Sequence, residues 1–269
     1  MRRSPAVAHQ FYPGDPATLK ETVTELTPDI PSAQKIKALA VIAPHAGYIY
    51  SGAVAAETFA ATIIPEDVIL LGPNHHGQGA PVALMNSGSW QMPMGDVPIN
   101  EELADILLRA SPLIEADTLA HRFEHSLEVE VPFLQHGQQH LTLSPLVISH
   151  LPLEACLQLG QALAAAIHQY NKPVLIVASS DMTHYESRDE ASRKDRLAMA
   201  QVEKLDPDGL YSTVLGQGIT MCGIMPATIA LAAAVALGAK QSRLVHYTDS
   251  GATSGDTDHV VGYAGFVIS

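Results

Sequence analysis

The sequence predicts an α/β protein with a central, mostly parallel mixed sheet flanked by helices. Three observations predict it. Short apolar runs rich in β-branched residues alternate with helix-like stretches along the whole chain. Three of the runs, residues 38–43, 68–71 and 174–178, are apolar at every position, as strands covered on both faces are. Each of the three leads into a polar loop that carries histidine: His45 after the first, His75 and His76 after the second, His184 after the third. Open α/β sheets bind ligands at such strand ends.

The chain has 269 residues, 47% of them apolar, and shows no linker-like break, so one domain over residues 1–269 is expected. Its net charge of −13 argues against nucleic acid, since phosphate binding needs a basic face, and disfavours anionic membrane surfaces. Two cysteines, Cys156 and Cys222, make no disulfide framework in a chain of this length. The start, Met1-Arg2-Arg3, lacks the apolar run of a signal peptide, and no stretch is apolar and long enough to span a bilayer. A soluble cytoplasmic protein is the expectation.

In chain order, residues 9–16 read as an irregular aromatic arm packed on the surface. Residues 17–26 read as a helix, with Leu19, Val23 and Leu26 on one face, ended by Pro28 and Pro31. After the first strand and the loop of His45, Gly47 and Tyr48, a helix over residues 53–61 follows, with Ser51 as its cap. The second strand stops at Gly72-Pro73 and opens into Asn74-His75-His76-Gly77. Residues 81–85 form a further strand, and residues 88–98, with Trp90 and two prolines, a loop or short hairpin. Asn100 caps a helix to Ala110. Ser126 is expected to cap a helix to Gln135, tolerating Pro132 in its first turns and leaving His125 just outside. Then come a strand over 143–148, a long helix from Leu153 to Tyr170 that takes in Cys156, and the third histidine-delivering strand at Val174. Helices over 188–204 and 206–215 precede a loop with Cys222 and an alanine-rich helix that accepts Pro226 near its start. Strands over 243–248 and 259–268, joined by a Gly/Ser/Asp loop, end the chain.

Neutral imidazoles on strand-end loops are natural ligands for a transition metal. His45 and His75 are the first choices. Asp181, Glu128 and Cys222 compete for the third position, the last as a thiolate favoured by a helix start and by the ion itself. His76 is balanced between ligand and hydrogen-bond partner of a ligand. Histidines 9, 121, 136, 140, 168, 246 and 259 are read as ordinary surface or hydrogen-bonded residues. A hydrolase built on Ser179, Ser180 or Cys222 finds no Gly-x-Ser-x-Gly elbow. Neither Gly-x-Gly-x-x-Gly nor a Walker A loop is present to cradle a nucleotide.

Several short segments, in order, resemble the Memo family, which includes the AmmeMemoRadiSam system protein B members. They are Ala43-Pro44-His45-Ala46-Gly47-Tyr48, Gly72-Pro73-Asn74-His75-His76, Glu124-His125-Ser126, Ser179-Ser180-Asp181 with His184, and Cys222-Gly223. The resemblance runs from His9 to the C-terminal strands. It implies a fold related to class III, LigB-type extradiol dioxygenases, which hold non-haem Fe(II) with two histidines and a carboxylate. It implies a pocket of His45, His75, Asp181, His184 and Cys222, with His45, His75 and Cys222 on the metal and Asp181 and His184 acting on protons. His76, His125 and Tyr48 are expected around the same pocket. Cysteine in place of a carboxylate departs from the dioxygenase pattern, and its softer sulfur admits copper as well as Fe(II) and can itself be oxidised. The expected occupant is a small molecule or peptide, bound with turnover in an oxidoreductase-like protein or without it in a binding module. Animal members are linked to metal, redox control and phosphopeptide recognition; only the metal and redox part carries over through matched residues.

Overall fold

The structure is a computed structural model covering residues 1–269. Its elements are β1 (Arg2–Arg3), α1 (Pro16–Leu26), β2 (Ala40–Ala43), α2 (Tyr48–Ala60), β3 (Asp67–Pro73), β4 (Val82–Leu84), β5 (Ser89–Trp90), β6 (Val97–Pro98), α3 (Glu101–Ala110), β7 (Glu115–Ala116), α4 (Val131–Gly137), β8 (Thr142–Ile148), α5 (Leu153–Tyr170), β9 (Val174–Ser179), β10 (His184–Glu186), α6 (Arg188–Glu203), α7 (Pro207–Gly216), α8 (Ile224–Ala236), β11 (Ser242–Asp249), α9 (Gly251–Ser254) and β12 (Val260–Ile268).

The main sheet runs β10-β12-β2-β9-β3-β8-β4-β7, with β11 also paired to β12. Its centre, β2-β9-β3-β8, is parallel. β12 and β4 border that centre antiparallel to it. The sheet is therefore mixed, as the alternation of apolar runs and helices predicts.

Alternate residues of the central strands feed two cores, as the two-residue period of a strand requires. Ala40, Ile42, Ile69, Leu71, Ile176 and Ala178 pack with Leu103 and Leu107 of α3, Leu159 and Leu163 of α5, and Ile229 and Ala230 of α8. Val41, Ala43, Val68, Leu70, Leu175 and Val177 pack with Leu19 and Val23 of α1, Phe59 of α2 and Phe133 of α4. Ser179, two residues beyond Val177, falls on the second side. With both faces covered, the strands need no polar alternation, which explains their unbroken apolar runs.

Several local expectations change. α2 begins at Tyr48, five residues earlier than its sequence start, and Gly47 rather than Ser51 stands at its cap. The carbonyl of Phe11 takes the Tyr48 N–H, so the N-terminal arm supplies what a capping side chain would, while Ser51, inside the helix, donates through Oγ to Ala46 O just before it. Ser126 does not cap the next helix. Its hydroxyl donates to Pro73 O, and a 3-10 turn (Glu128–Glu130) precedes α4, which ends at Gly137. The arm itself is no mere surface wrapping: Tyr12 is buried and donates to Glu128 Oε1. Four elements had no separate expectation: β1, which pairs with β5; β7, which pairs with β4; β10, which pairs with β12; and the one-turn α9 inside the Gly/Ser/Asp loop. Asn100 and the span of α5 stand as expected, with Asn100 Oδ1 accepting from Leu103 N.

Candidate metal centre

His45 follows β2 directly, and its surroundings are dry. It is buried, its N–H donates to Asp181 Oδ1 at 2.8 Å, and its Nδ1 lies 2.7 Å from Ser179 Oγ. That leaves Nε2 for the site, where it stands 3.4 Å from Cys222 Sγ. Ser179 ends β9, the strand next to β2, and Asp181 lies two residues beyond it, so the parallel pairing brings both near His45.

His75 and His125 are set by one carboxylate. Glu124 Oε2 accepts the His75 N–H at 2.7 Å, and Oε1 lies 2.8 Å from His75 Nδ1. Oε1 also accepts the N–H groups of His125 and Ser126, each at 2.9 Å. The His75 and His125 rings stack, with centroids 4.6 Å apart and planes 21° from parallel. His45 meets both edge-on. Phe11 of the arm lies behind His125, at 4.8 Å between ring centroids. The loop of His125 can lie this close to β3 because residue 72 is glycine. A Cβ there would come within 2.6 Å of Ser126 Oγ and collide with Leu127.

One donor atom from each of His45, His75 and His125 falls within 4.8 Å of the others. Burial drives the pKa of His45 well below its ordinary value, and the neighbouring His125 and His75 add to this. Burial likewise lowers His125 to about 4, against the pull of Glu124. Both rings are neutral at pH 7 and carry a free lone pair. Burial alone would raise the pKa of Glu124, but the hydrogen bond and charge of His75, then the Ser126 N–H, outweigh it and hold the group well below the usual carboxylate range. Glu124 is thus a fixed anion behind two imidazoles, an arrangement that orients metal-ligating histidines.

Cys222 precedes α8. Gly223 beside it lies so close to Ser179 O and Ser180 that a side chain would have no room. The Asp181 N–H donates to Cys222 Sγ at 3.3 Å. Burial pushes the thiol far up, and the charge of Asp181 pushes the same way, so without a cation the sulfur keeps its proton. Burial raises Asp181 to about 6, opposed by the N–H of His45 and by His184. His184 Nδ1 lies 2.9 Å from Thr220 O. A carbonyl only accepts, so Nδ1 carries the proton and Nε2 the lone pair.

The structure thus brings His45, His75 and His125 together, with Cys222 against His45 and Asp181 beneath it. Two residues expected around the pocket are committed elsewhere. The exposed His76 ring places Nε2 2.9 Å from Phe123 O, and the Tyr48 hydroxyl donates to Val129 O. Glu128, a candidate third ligand in the sequence, is closed off: its carboxylate takes Arg3, the N–H groups of Ala6 and Val7, and Tyr12. Sequence reasoning weighed Ser179 only as a nucleophile and gave Glu124 no role. The one available signal for Glu124 was its position directly before His125.

A cleft of about 260 Å³ opens beside Cys222, bordered by Pro73, Asn74, Ile148 and Met221. Neither this cleft nor the larger hollows, such as one of about 530 Å³ by Thr27, Lys35 and His136, is lined by the converging imidazoles; the cleft touches the site through Cys222 alone.

The family model described as Memo-like protein matches residues 3–267. A MEMO1 family protein of Methanopyrus kandleri is 39% identical over 279 aligned residues, spanning 99% of each chain. Another from Aquifex aeolicus is 40% identical over 266, spanning 98% of each. Among solved structures, an uncharacterized protein of Escherichia coli K12 superposes with a TM-score of 0.58 at 15% identity, covering 84% of this chain and 99% of that one. That likeness is one of fold.

Proposed function

The chain belongs to the Memo-like family, and from that premise we propose that it is a metal-binding, oxidoreductase-like protein. One transition ion, Fe(II) first and copper as the alternative, is held by His45, His75 and Cys222, with His125 closing the site. The observation that carries the reading is the convergence of three imidazole donor atoms within 4.8 Å, with a sulfur 3.4 Å from one of them. Two donors at metal–sulfur and metal–nitrogen lengths of about 2.3 and 2.0 Å stand about 3.5 Å apart at a tetrahedral angle. The Cys222–His45 spacing suits a shared ion. Neutral imidazoles plus one thiol that ionises on binding form a donor set for a borderline or soft metal.

Bound there, the ion would supply an electrophilic, redox-capable centre. The residues around it do the rest. Glu124 orients His75 and His125. Asp181, with its pKa near 6, and the Nε2 lone pair of His184 accept or return a proton at the substrate. The cleft beside Cys222 admits a small molecule or the end of a peptide.

The test begins with protein purified without oxygen. Stoichiometric iron or copper is expected, together with its loss in His75→Ala; metal-free protein, or a His75→Ala variant that binds equally well, would end the reading. An oxygen-uptake screen with catechol-like compounds then separates turnover from binding. The second reading, a non-catalytic site for a small anionic ligand or peptide, is favoured by the strongly raised thiol of Cys222, which leaves the metal-free pocket without a ready nucleophile. It predicts ligand affinity with no oxygen consumed.

A further inference from the structure

We infer that Glu130 is a protonated carboxylic acid which, through the Ser179 hydroxyl, fixes the orientation and tautomer of His45. The inference extends the proposed metal site by assigning the protons behind it, and the assignment itself is independent of any ion.

The hydrogens and lone pairs around one oxygen decide it. Ser179 Oγ has three neighbours at 2.7 Å: His45 Nδ1, the carbonyl oxygen of Ser126 and Glu130 Oε1. A hydroxyl has one hydrogen to give and two lone pairs to receive. The Ser126 carbonyl can only accept, so it takes the hydroxyl hydrogen. The other two neighbours must then be donors. His45 therefore carries its proton on Nδ1, and Glu130 carries one on Oε1.

The alternatives each leave a short contact between two acceptors. If Glu130 were ionised, two acceptors would compete for the single Ser179 hydrogen. If His45 were protonated on Nε2 instead, its Nδ1 would compete as well. Glu130 is fully buried, and its second oxygen, Oε2, has no hydrogen-bond partner. An ionised carboxylate so placed would lack almost all the donors it needs, whereas the carbonyl oxygen of a neutral acid tolerates the same place at much lower cost. The nearby charge that acts on it is Asp181, which is negative. Burial, reinforced by the negative charge of Asp181, raises its pKa well above the ordinary value.

The consequence reaches the metal position. With the proton locked on Nδ1, the lone pair of His45 lies on Nε2, the nitrogen beside Cys222 Sγ. Glu130 is a positioning residue: it touches neither substrate nor ion, and it acts through Ser179. The hydroxyl is saturated by one donated and two accepted bonds, which leaves the His45 ring a single orientation. His45 and His75 are thus held by opposite means, one by a neutral acid relayed through serine and the other by the fixed anion Glu124.

The experiment uses full-length, metal-free protein, so that it separates this assignment from the metal reading. At neutral pH, a protonated-carboxyl C=O band is expected in the infrared spectrum. It should shift on ¹³C-glutamate labelling of the wild type and vanish in Glu130→Gln. The ¹⁵N spectrum of His45, assigned by its loss in His45→Asn, should show the proton on Nδ1. Ser179→Ala should abolish the single tautomer and weaken Co(II) binding by about 10–100-fold, the usual effect of removing a ligand's hydrogen-bond partner. Glu130→Gln, whose amide N–H can donate to Ser179 in place of the acid, should keep both the tautomer and near-wild-type Co(II) affinity. Absence of the carboxyl band in labelled wild-type protein, or a His45 proton on Nε2, overturns the inference. If band and tautomer are as stated but no variant or wild type binds Co(II), the metal reading fails while the proton assignment stands.

Discussion

The two ends of the central strands bury polar groups in opposite ways. At the amino end of β3, Asp67 Oδ1 accepts from Asn100 Nδ2 at 2.6 Å and from Thr142 Oγ1 at 2.7 Å, and Oδ2 accepts from the Tyr170 hydroxyl at 2.9 Å. An acceptor is surrounded by donors, and the cluster is complete. At the carboxyl ends, lone-pair donors are gathered with one another: three imidazoles and a sulfur, their hydrogen bonds to Glu124 and Ser179 spent behind the rings. Such a cluster presents lone pairs that a Lewis acid could accept. Burial alone does not distinguish the two ends; the balance of hydrogens against lone pairs does.

The sharpest way to break this comparison is to remove one member from each end. His75→Ala should lower metal affinity more than about 100-fold, beyond the 10–100-fold of an outer partner, with little change in the melting temperature of the metal-free protein. Metal titration and thermal melts on the same sample would check it. Asp67→Ala should do the reverse. It leaves buried donors unsatisfied at a cost of about 2–3 kcal/mol, read by urea unfolding, and leaves metal affinity unchanged. Should Asp67→Ala weaken metal binding as much as His75→Ala, the two ends would not be separate devices.

A finer test concerns Glu124, which faces the site yet has the donor-rich surroundings of Asp67. Glu124→Gln should cost about 10–100-fold in metal affinity, because the amide keeps one acceptor oxygen for the His75 ring and the N–H groups of His75, His125 and Ser126. The smallest effect is expected at Asp195, a closed acid near the same rim. It accepts from Thr183 N and from the Tyr247 hydroxyl. Burial raises its pKa above 3.8, against those hydrogen bonds. Between that value and the raised one the folded chain holds a proton that the unfolded chain has released, so this stability is full at low pH and is lost as pH rises through the folded pKa. In Asp195→Asn that slope should flatten. Melting temperatures from pH 4 to 7 should move in the variant's favour as pH rises.

Much of this was legible in the residues. Unbroken apolar runs marked β2, β3 and β9, because strands covered on both faces need no alternation. Their ends located His45 and His75. The Glu124-His125-Ser126 motif brought His125 to the pocket, though not into the group of converging donor atoms. What was not legible depends on distant pairing. Ser126 looks like a helix cap by its neighbours, but the carbonyl of Pro73 takes its hydroxyl. Ser179 looks like a turn residue or nucleophile until Ser126 O and Glu130 are seen around it. Glu130 lies in the helix expected after Ser126, where nothing in the sequence tells a buried carboxyl from an exposed one, and only the packing of the arm, α4 and β9 shows that it is buried. Glu128, two residues earlier, misleads in the other direction: its charge is matched by Arg3, a residue more than a hundred positions away.

His45 and His125 are separated by eighty positions in the chain, and Cys222 by nearly a hundred more. No partly folded intermediate can hold all of them at one point, since β2, β9 and β3 must first be aligned side by side. Under the proposed metal reading, ion uptake would wait for the completed sheet and draw its affinity from the finished fold. By mass action a bound ion must in turn protect that fold, by about 2.7 kcal/mol at a hundredfold excess over its dissociation constant. Cells short of the ion would then carry less of the folded protein, which makes its abundance a gauge of supply.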